Sequence, residues 1–346
     1  MYVVGNGART SLGLHASPSA AALRAAISCV REHPYMLDRF GNPVLGGIDN
    51  QLDPRLMGPG RLLALAETAL REACAPLSST VRPHLRLPVY LGLPELRPGF
   101  TKRDANAVRT GLARFEGLPT ELQEVSVITQ GHAAGLTALA MATEQMERGA
   151  FEACIVGGLE SYFQPETLGW LEENRQLANA DSRSCFVPGE GAGFCLLAAE
   201  PVSKRLRLSP LARVRAVSTG NETMRIKSGE VCLGEGLTKT VQASITSLPT
   251  GETINEVICD INGERYRAEE WGFVCLRLSR NFDNPAAYLS PADCWGDTGA
   301  ASVPLFAMLA CEAAARGYSK GPRVLLWASS EGGLRGAAVL ETSWRL

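Results

Sequence analysis

Apolar and polar positions recur along this chain with two periods. Short runs of β-branched and other apolar residues fall at 2–4, 87–91, 125–129, 153–156, 211–217, 256–261, 324–328 and 336–341, and read as strands. Longer segments with apolar residues three and four apart lie between them. The clearest spans 60–75, where Leu62, Leu63, Leu65, Ala66, Ala69 and Leu70 share one face. Further helices are predicted at 17–30, opened by Ser17-Pro18-Ser19, at 102–114, at 131–149, at 234–247, from Tyr266 onward, and at 297–316. Residues 35–53, rich in Gly, Pro and Asn, read as loop, and the polar stretch 164–180 as a surface run. Strands alternating with helices in both halves of the chain imply an α/β fold with a parallel-rich sheet and right-handed crossovers.

The stretch 125–160 carries most of the organisation. Val125, Val127 and Ile128 lead into Thr129-Gln130-Gly131. A helix of small residues follows (Ala133, Ala134, Gly135, Thr137, Ala138, Ala140, Ala142) and stops at Arg148-Gly149. Ala153-Cys154-Ile155-Val156 is the next strand, closed by Gly157-Gly158. This order resembles the N-terminal half of the β-ketoacyl synthases of the thiolase-like superfamily. Met146-Glu147-Arg148-Gly149 stands for the family's helix end and Gly157-Gly158-Leu159-Glu160 for its strand end. A second match is Phe186-Val187-Pro188-Gly189-Glu190-Gly191-Ala192-Gly193, although the segment that precedes it in the enzymes is shortened here to Asp181-Ser182-Arg183-Ser184. The resemblance implies a thiolase-like fold of two βαβαβ-type halves, 1–204 and 205–346, in a five-layer α-β-α-β-α arrangement. Gly5-Asn6-Gly7 after the first strand fits that family's opening turn better than a dinucleotide site, because no acidic residue closes a second strand at the spacing such a site needs.

The same resemblance locates the chemistry. The nucleophilic cysteine of the enzymes falls on His132, and no cysteine occurs between Cys74 and Cys154. Their two histidines fall on Asn262 and Asp297, and no histidine follows His132 in any register. An imidazole does not hold a growing chain as a stable thioester, and an asparagine donates a hydrogen bond without shuttling a proton. The usual carbon–carbon condensation is therefore not expected. His132 with Asp297 could make a carboxylate-oriented base; alternatively His132 is a satisfied residue at a helix N-terminus, whose dipole disfavours its charged form. Gly131, Phe186, Gly332 and Gly333 are expected around a ligand, with Ser329-Ser330-Glu331-Gly332-Gly333 in the place of the enzymes' gate loop. Glu160 and Glu190 are expected to tie loops together.

Composition narrows the classes. With 34 Lys and Arg against 36 Asp and Glu, the 346-residue chain has a formal charge of −2 and lacks the basic balance of a general nucleic-acid binder. No apolar run reaches the length of a membrane span, and no signal peptide is evident, so a cytoplasmic protein is expected. The 10 cysteines stand singly without a C-x-x-C pair, which argues for free thiols and against zinc; no metal or cofactor is expected. Three readings follow. One is a non-catalytic binding or accessory protein, which the resemblance links to adaptors of type VI secretion effectors. The second is a thioesterase or acyltransferase working through His132 on acyl-ACP or acyl-CoA. The third is a partner subunit like the chain-length factors, paired with an active ketosynthase. The resemblance places a dimer contact on Val125, Val127 and Thr129, a homodimer under the first two readings.

Overall fold

A computed structural model describes residues 1–79, 85–179, 182–225 and 228–342. His84 and Asp181 lie outside them. The strands are β1 (Tyr2–Thr10), β2 (Val30–Leu37), β3 (Pro43–Gly47), β4 (Arg86–Leu93), β5 (Glu121–Thr129), β6 (Ala153–Ser161), β7 (Glu190–Ala198), β8 (Ala212–Asn221), β9 (Glu256–Cys259), β10 (Tyr288–Leu289), β11 (Arg323–Ser329) and β12 (Leu334–Glu341). The helices are α1 (Ala16–Arg24), α2 (Gly58–Cys74), α3 (Lys102–Leu112), α4 (Ala134–Glu147), α5 (Pro165–Glu173), α6 (Glu200–Arg205), α7 (Glu235–Ile245), α8 (Arg265–Leu278), α9 (Ala292–Trp295) and α10 (Ser302–Ala315).

The main strands run in the order β10-β9-β11-β12-β8-β1-β7-β6-β4-β5. The order is a palindrome of strand roles. From β1 outward the pairings are antiparallel with β7, antiparallel β7 with β6, then parallel β6–β4 and β4–β5. From β8 outward they repeat: antiparallel β12, antiparallel β11, parallel β9 and β10. The strands of the two sets of five pair where Tyr2 and Val3 lie beside Arg213 and Ala212. Each parallel step needs a crossover, and helices supply them.

Three cores separate five layers. Outer helices α2 and α3 bury Leu62, Leu65, Leu70, Val108 and Leu112 against one face of the first set of strands. Outer helices α7 and α8 bury Leu237, Val241, Trp271 and Val274 against the second set. Between the two sets lie α4 and α10, whose Leu136, Leu139, Leu305, Phe306 and Met308 share one core with residues from both sheets, such as Val156 and Leu326. A helix packed on both faces must be apolar or small all round, and α10 is buried at nearly every position from Ser302 to Ala313. Helices α4 and α10 touch closely at Gly135, where an added Cβ would stand 2.8 Å from Val303 Cβ. This is the α-β-α-β-α arrangement that the resemblance implied.

Several sequence expectations need correction. Residues 35–53 are not all loop: β2 and β3 form an antiparallel hairpin, interrupted between Glu32 and Leu37, so no clean alternation marks it. The helix expected at 17–30 is α1, which begins after His15 without a side-chain cap and ends at Arg24. Ala26, at φ 53, then turns the chain toward β2. The helix expected from Asp297 begins at Ser302, after a 3-10 turn over Gly299–Ala301. Residues 164–179 form α5 and its exit, with Leu168, Leu171 and Leu177 buried beside Tyr162, Phe163 and Phe186 under the hairpin.

Candidate functional site

Each middle-layer helix is preceded by a tight turn. Strand β5 ends at Thr129, Gly131 takes φ 66, and a 3-10 turn over Gly131–Ala133 delivers His132 to the N-terminus of α4. The turn Gly299–Ala301 does the same for α10, with Gly299 at φ 42. The two turns pack on one another, so Asp297, just ahead of the second, meets His132 in the first. Strand β9 points Asn262 at the same spot.

The sequence-predicted trio is assembled. His132 Nε2 lies 2.9 Å from both Oδ1 and Oδ2 of Asp297. Asn262 Nδ2 donates to Asp297 Oδ2 at 2.5 Å. The Tyr162 hydroxyl and the Gly299 N–H donate to Oδ1 at 3.1 and 2.7 Å. Asp297 therefore accepts from four donors, and His132, Asn262 and Asp297 are all buried. Behind them, Arg267 donates to Asp260 Oδ2 at 2.5 Å, to the Ser329 carbonyl at 2.6 Å and to Glu264 Oε2 at 3.1 Å. Its Nη2 approaches His132 Nε2 at 3.3 Å. An unprotonated Nε2 would turn its lone pair on both Asp297 oxygens, so Nε2 is assigned the hydrogen, and the Arg267 approach is then a contact between two donors and not a hydrogen bond. The other ring nitrogen, Nδ1, has no hydrogen-bond partner among the described residues.

Electrostatics matches this geometry. Burial and the Arg267 charge oppose the imidazolium, but the Asp297 carboxylate and its hydrogen bond, with Asp260 behind, outweigh them and raise the pKa of His132. Burial alone would lift Asp297; the His132 charge and hydrogen bond, Arg267 and Asn262 instead hold its carboxyl well below the usual range. The pairing favours the charged imidazole opposite the carboxylate, the reverse of the direction expected from the helix dipole.

His132 opens onto a cavity of about 450 Å³ lined by Gly131, Glu95, Arg97, Glu160, Tyr162, Trp170, Phe186, Arg225, Glu264, Arg267, Glu331 and Gly332, among others. Gly131, Phe186 and Gly332 thus sit where a ligand was expected. Gly333, at φ 108, is turned away against Asn221 and Glu222. Glu95 accepts the Gly332 N–H at 3.0 Å, and burial raises its carboxyl pKa. No cysteine is among the described residues lining this cavity. The Ser330 hydroxyl donates to the Gln130 carbonyl and accepts the Ala133 N–H at 2.9 Å, so the 329–333 turn is fastened to the His132 turn. Glu160 takes Arg97 Nη2 at 2.7 Å and the Ala300 N–H at 3.3 Å. Glu190 takes Arg61 Nε and Nη2 at 2.5 and 2.6 Å and the Asp49 N–H at 2.8 Å. Both acids tie loops, as expected.

Sequence reasoning missed Glu95, Tyr162, Glu264 and Arg267. Tyr162 follows the recognised Glu160 by two residues and could have been found from it. Arg267 and Glu264 lie in a run of charges, Glu264-Arg265-Tyr266-Arg267-Ala268-Glu269-Glu270, that reads as a solvated helix start; half of it is buried. Among the described residues, Glu222, Cys232 and Glu270 bring possible metal-ligating atoms within 4.8 Å of one another. Both Glu270 oxygens are already held by Arg335, at 2.8 and 2.5 Å, and both Glu222 oxygens by the Met224 and Gly236 N–H groups, so the ligand atoms are engaged within the protein.

Residues 125–201 match the family model described as the β-ketoacyl synthase N-terminal domain. No curated protein matches the chain. Solved structures do. A chain from a type II polyketide acyl-carrier protein in complex with its ketosynthase bound to a hexaketide superposes with a TM-score of 0.79 at 16% identity, covering 99% of each chain. The ishigamide ketosynthase/chain length factor gives 0.71 at 20% identity, again over 99% of each chain. The ketosynthase from module 6 of the bacillaene synthase of Bacillus subtilis gives 0.73 at 15% identity, over 99% of this chain and 72% of that one. The chain has the fold of the ketosynthases, residues 125–201 match the model of their N-terminal domain, and His132, Asn262 and Asp297 lie at the meeting point of the two inner turns.

Proposed function

We propose that this protein is a non-condensing ketosynthase-like binding protein, in which the reaction centre has become a structural clasp beneath a polar pocket. The observation that carries the reading is the His132–Asp297 pair. Asp297 accepts four hydrogen bonds, and its carboxylate raises the pKa of His132 and so favours the charged imidazole. A protonated imidazole has no lone pair on either nitrogen for attack, and no thiol is among the described residues lining the cavity to hold an acyl chain. The pocket carries Glu95, Arg97, Arg225, Glu264, Arg267 and Glu331 beside Leu96, Tyr162, Trp170, Leu171 and Phe186, a lining suited to a ligand with both polar groups and an apolar body.

Intact-mass measurement after incubation with acetyl-, malonyl- and long-chain acyl-CoA, and with the corresponding acyl-ACPs, tests this. No covalent adduct and no thioester loss above buffer is expected. Turnover that disappears in His132→Ala would replace this reading with the hydrolase or acyltransferase one.

The partner reading rests on β5. Strand β5, with Val125, Val127 and Thr129, is the last strand in the sheet order, so its outer edge has no strand partner among the described residues. An open edge is a template for strand addition, and a second copy of this chain is the occupant we propose. A chain-length-factor-like role is favoured by one observation, the full-length superposition on a ketosynthase/chain length factor; it requires that edge to take an active ketosynthase instead. A secretion effector is the partner class proposed for the accessory role, and co-purification from native lysate with the neighbouring gene products separates these partners.

A further inference from the structure

We propose that Cys29 and Cys294 are a reversible redox pair that closes to a disulfide and tethers the segment leading to Asp297. The Cys29 N–H donates to the Cys294 carbonyl at 2.9 Å. Standard backbone dimensions put each Cα within about 1.5 and 2.4 Å of those bonded atoms, so the two Cα atoms are less than about 6.8 Å apart. Disulfides span about 4.4–6.8 Å between Cα atoms. The pairing therefore needs little or no backbone movement.

Access together with proximity separates this pair from the other cysteines. Cys74, Cys154, Cys195, Cys259 and Cys311 are buried; Cys185, Cys232 and Cys275 are partly open like Cys29 and Cys294, but among the described residues the backbone hydrogen bond between two cysteines joins Cys29 to Cys294. Cys195 and Cys311 are also neighbours, but both are sealed in the middle layer, and burial pushes the Cys195 thiol up to about 12. Residues 24–28, just before Cys29, are all exposed. The Cys294 thiol is raised by its partial burial, by Asp293 and by Cys29 itself, which places the two thiols within electrostatic reach.

The chemistry balances with a disulfide oxidant of the glutathione class. The Cys29 thiolate attacks oxidised glutathione, forming a mixed disulfide and releasing one glutathione thiol. The Cys294 thiolate then attacks the Cys29 sulfur, forming the protein disulfide and releasing the second. Two thiol protons leave, and one glutathione disulfide is reduced to two thiols. The bond would join the α1–β2 connection to α9, three residues ahead of Asp297. Trp295 and Gly296, between them, already press on Gly47 and Gly189, so the tether acts on a segment that is held on its other side.

The experiment equilibrates the full chain in oxidised glutathione, blocks remaining thiols and reads intact mass and tryptic peptides without reductant. Expected is a loss of about 2 Da by disulfide formation, with peptide 25–31 joined to peptide 281–316 and released by dithiothreitol. Cys294→Ser should instead retain glutathione on Cys29, and Cys29→Ser should leave residue 294 free to alkylate. Since 281–316 also holds Cys311, Cys311→Ser should keep the link. Full alkylation of both thiols, a lasting glutathione adduct on Cys29 of the unaltered protein, or a link that follows Cys311 would each overturn the proposal. The inference stands apart from the binding role proposed above.

Discussion

Asp297 is the residue on which the site turns. The resemblance to the β-ketoacyl synthases aligns it with one of their histidines, and its carboxylate raises the pKa of His132, the residue aligned with their cysteine. Removing one partner of a buried pair leaves the other uncompensated, so Asp297→Ala should cost about 3–5 kcal/mol in denaturant unfolding. His132→Ala should cost less, because Asn262, Tyr162 and Gly299 still satisfy the carboxylate. The pH dependence has a sign. The folded-state pKa of His132 is raised, so its contribution is complete below the unfolded value of about 6.5 and is lost as pH climbs through the raised one. Asp297 is depressed, so its contribution holds above about 3.9 and fades only in strong acid. Urea midpoints should thus decline from about pH 6.5 upward, and that decline should vanish in His132→Ala; an unchanged slope would remove the imidazolium assignment. At this scale the three substituted positions were legible from motif spacing. Their supports were not: Glu264 and Arg267 sit close after Asn262 but in a charged run that reads as a solvated helix start, and Glu95 is distant in sequence and comes beside His132 only through the fold.

At the scale of elements, glycines mark where backbone meets backbone. Gly158 on β6 faces the turn before α10: an added Cβ would stand 2.1 Å from the Ala300 carbonyl oxygen, with backbone on both sides of it. Gly158→Ala should destabilise by about 1–3 kcal/mol as the 299–301 turn is displaced, and should loosen Asp297, read as slower-exchanging amides at 299–301 becoming faster. Gly169→Ala, with open space at its Cβ, is the matched control and should be neutral. Elements with strong periodicity, such as α2, and continuous apolar runs, such as β6 and β11, were readable because burial on one or both faces dictates their pattern. The β2–β3 hairpin was not. Pro34 and Gly41 signal turns, and its outer side chains Tyr35, Leu37 and Phe40 remain exposed, so neither face repeats at period two.

At the scale of the molecule, the two five-strand sets share a topology without a visible sequence repeat, since topology constrains which positions are apolar far more than which residues fill them. The open β5 edge predicts the assembly. Light scattering should give about twice the 37.0 kDa of the chain, and Thr129→Arg, at a half-buried edge position, should shift it to one chain's mass with little change in thermal midpoint. A monomer in the unaltered protein would sink the homodimer.

The seam between those sets has a practical consequence. The backbone pairing across it is short, Met1, Tyr2 and Val3 against Leu211–Val214; the rest of the adhesion comes from α4 and α10, one donated by each side. Cleaving the connection near Ser209 would give two pieces, each with a greasy helix facing water and each with one half of the ionic clasp. Such pieces should be insoluble apart and recombine when refolded together, with the titration of His132 returning only on recombination. The imidazole would then be an internal reporter of fragment complementation.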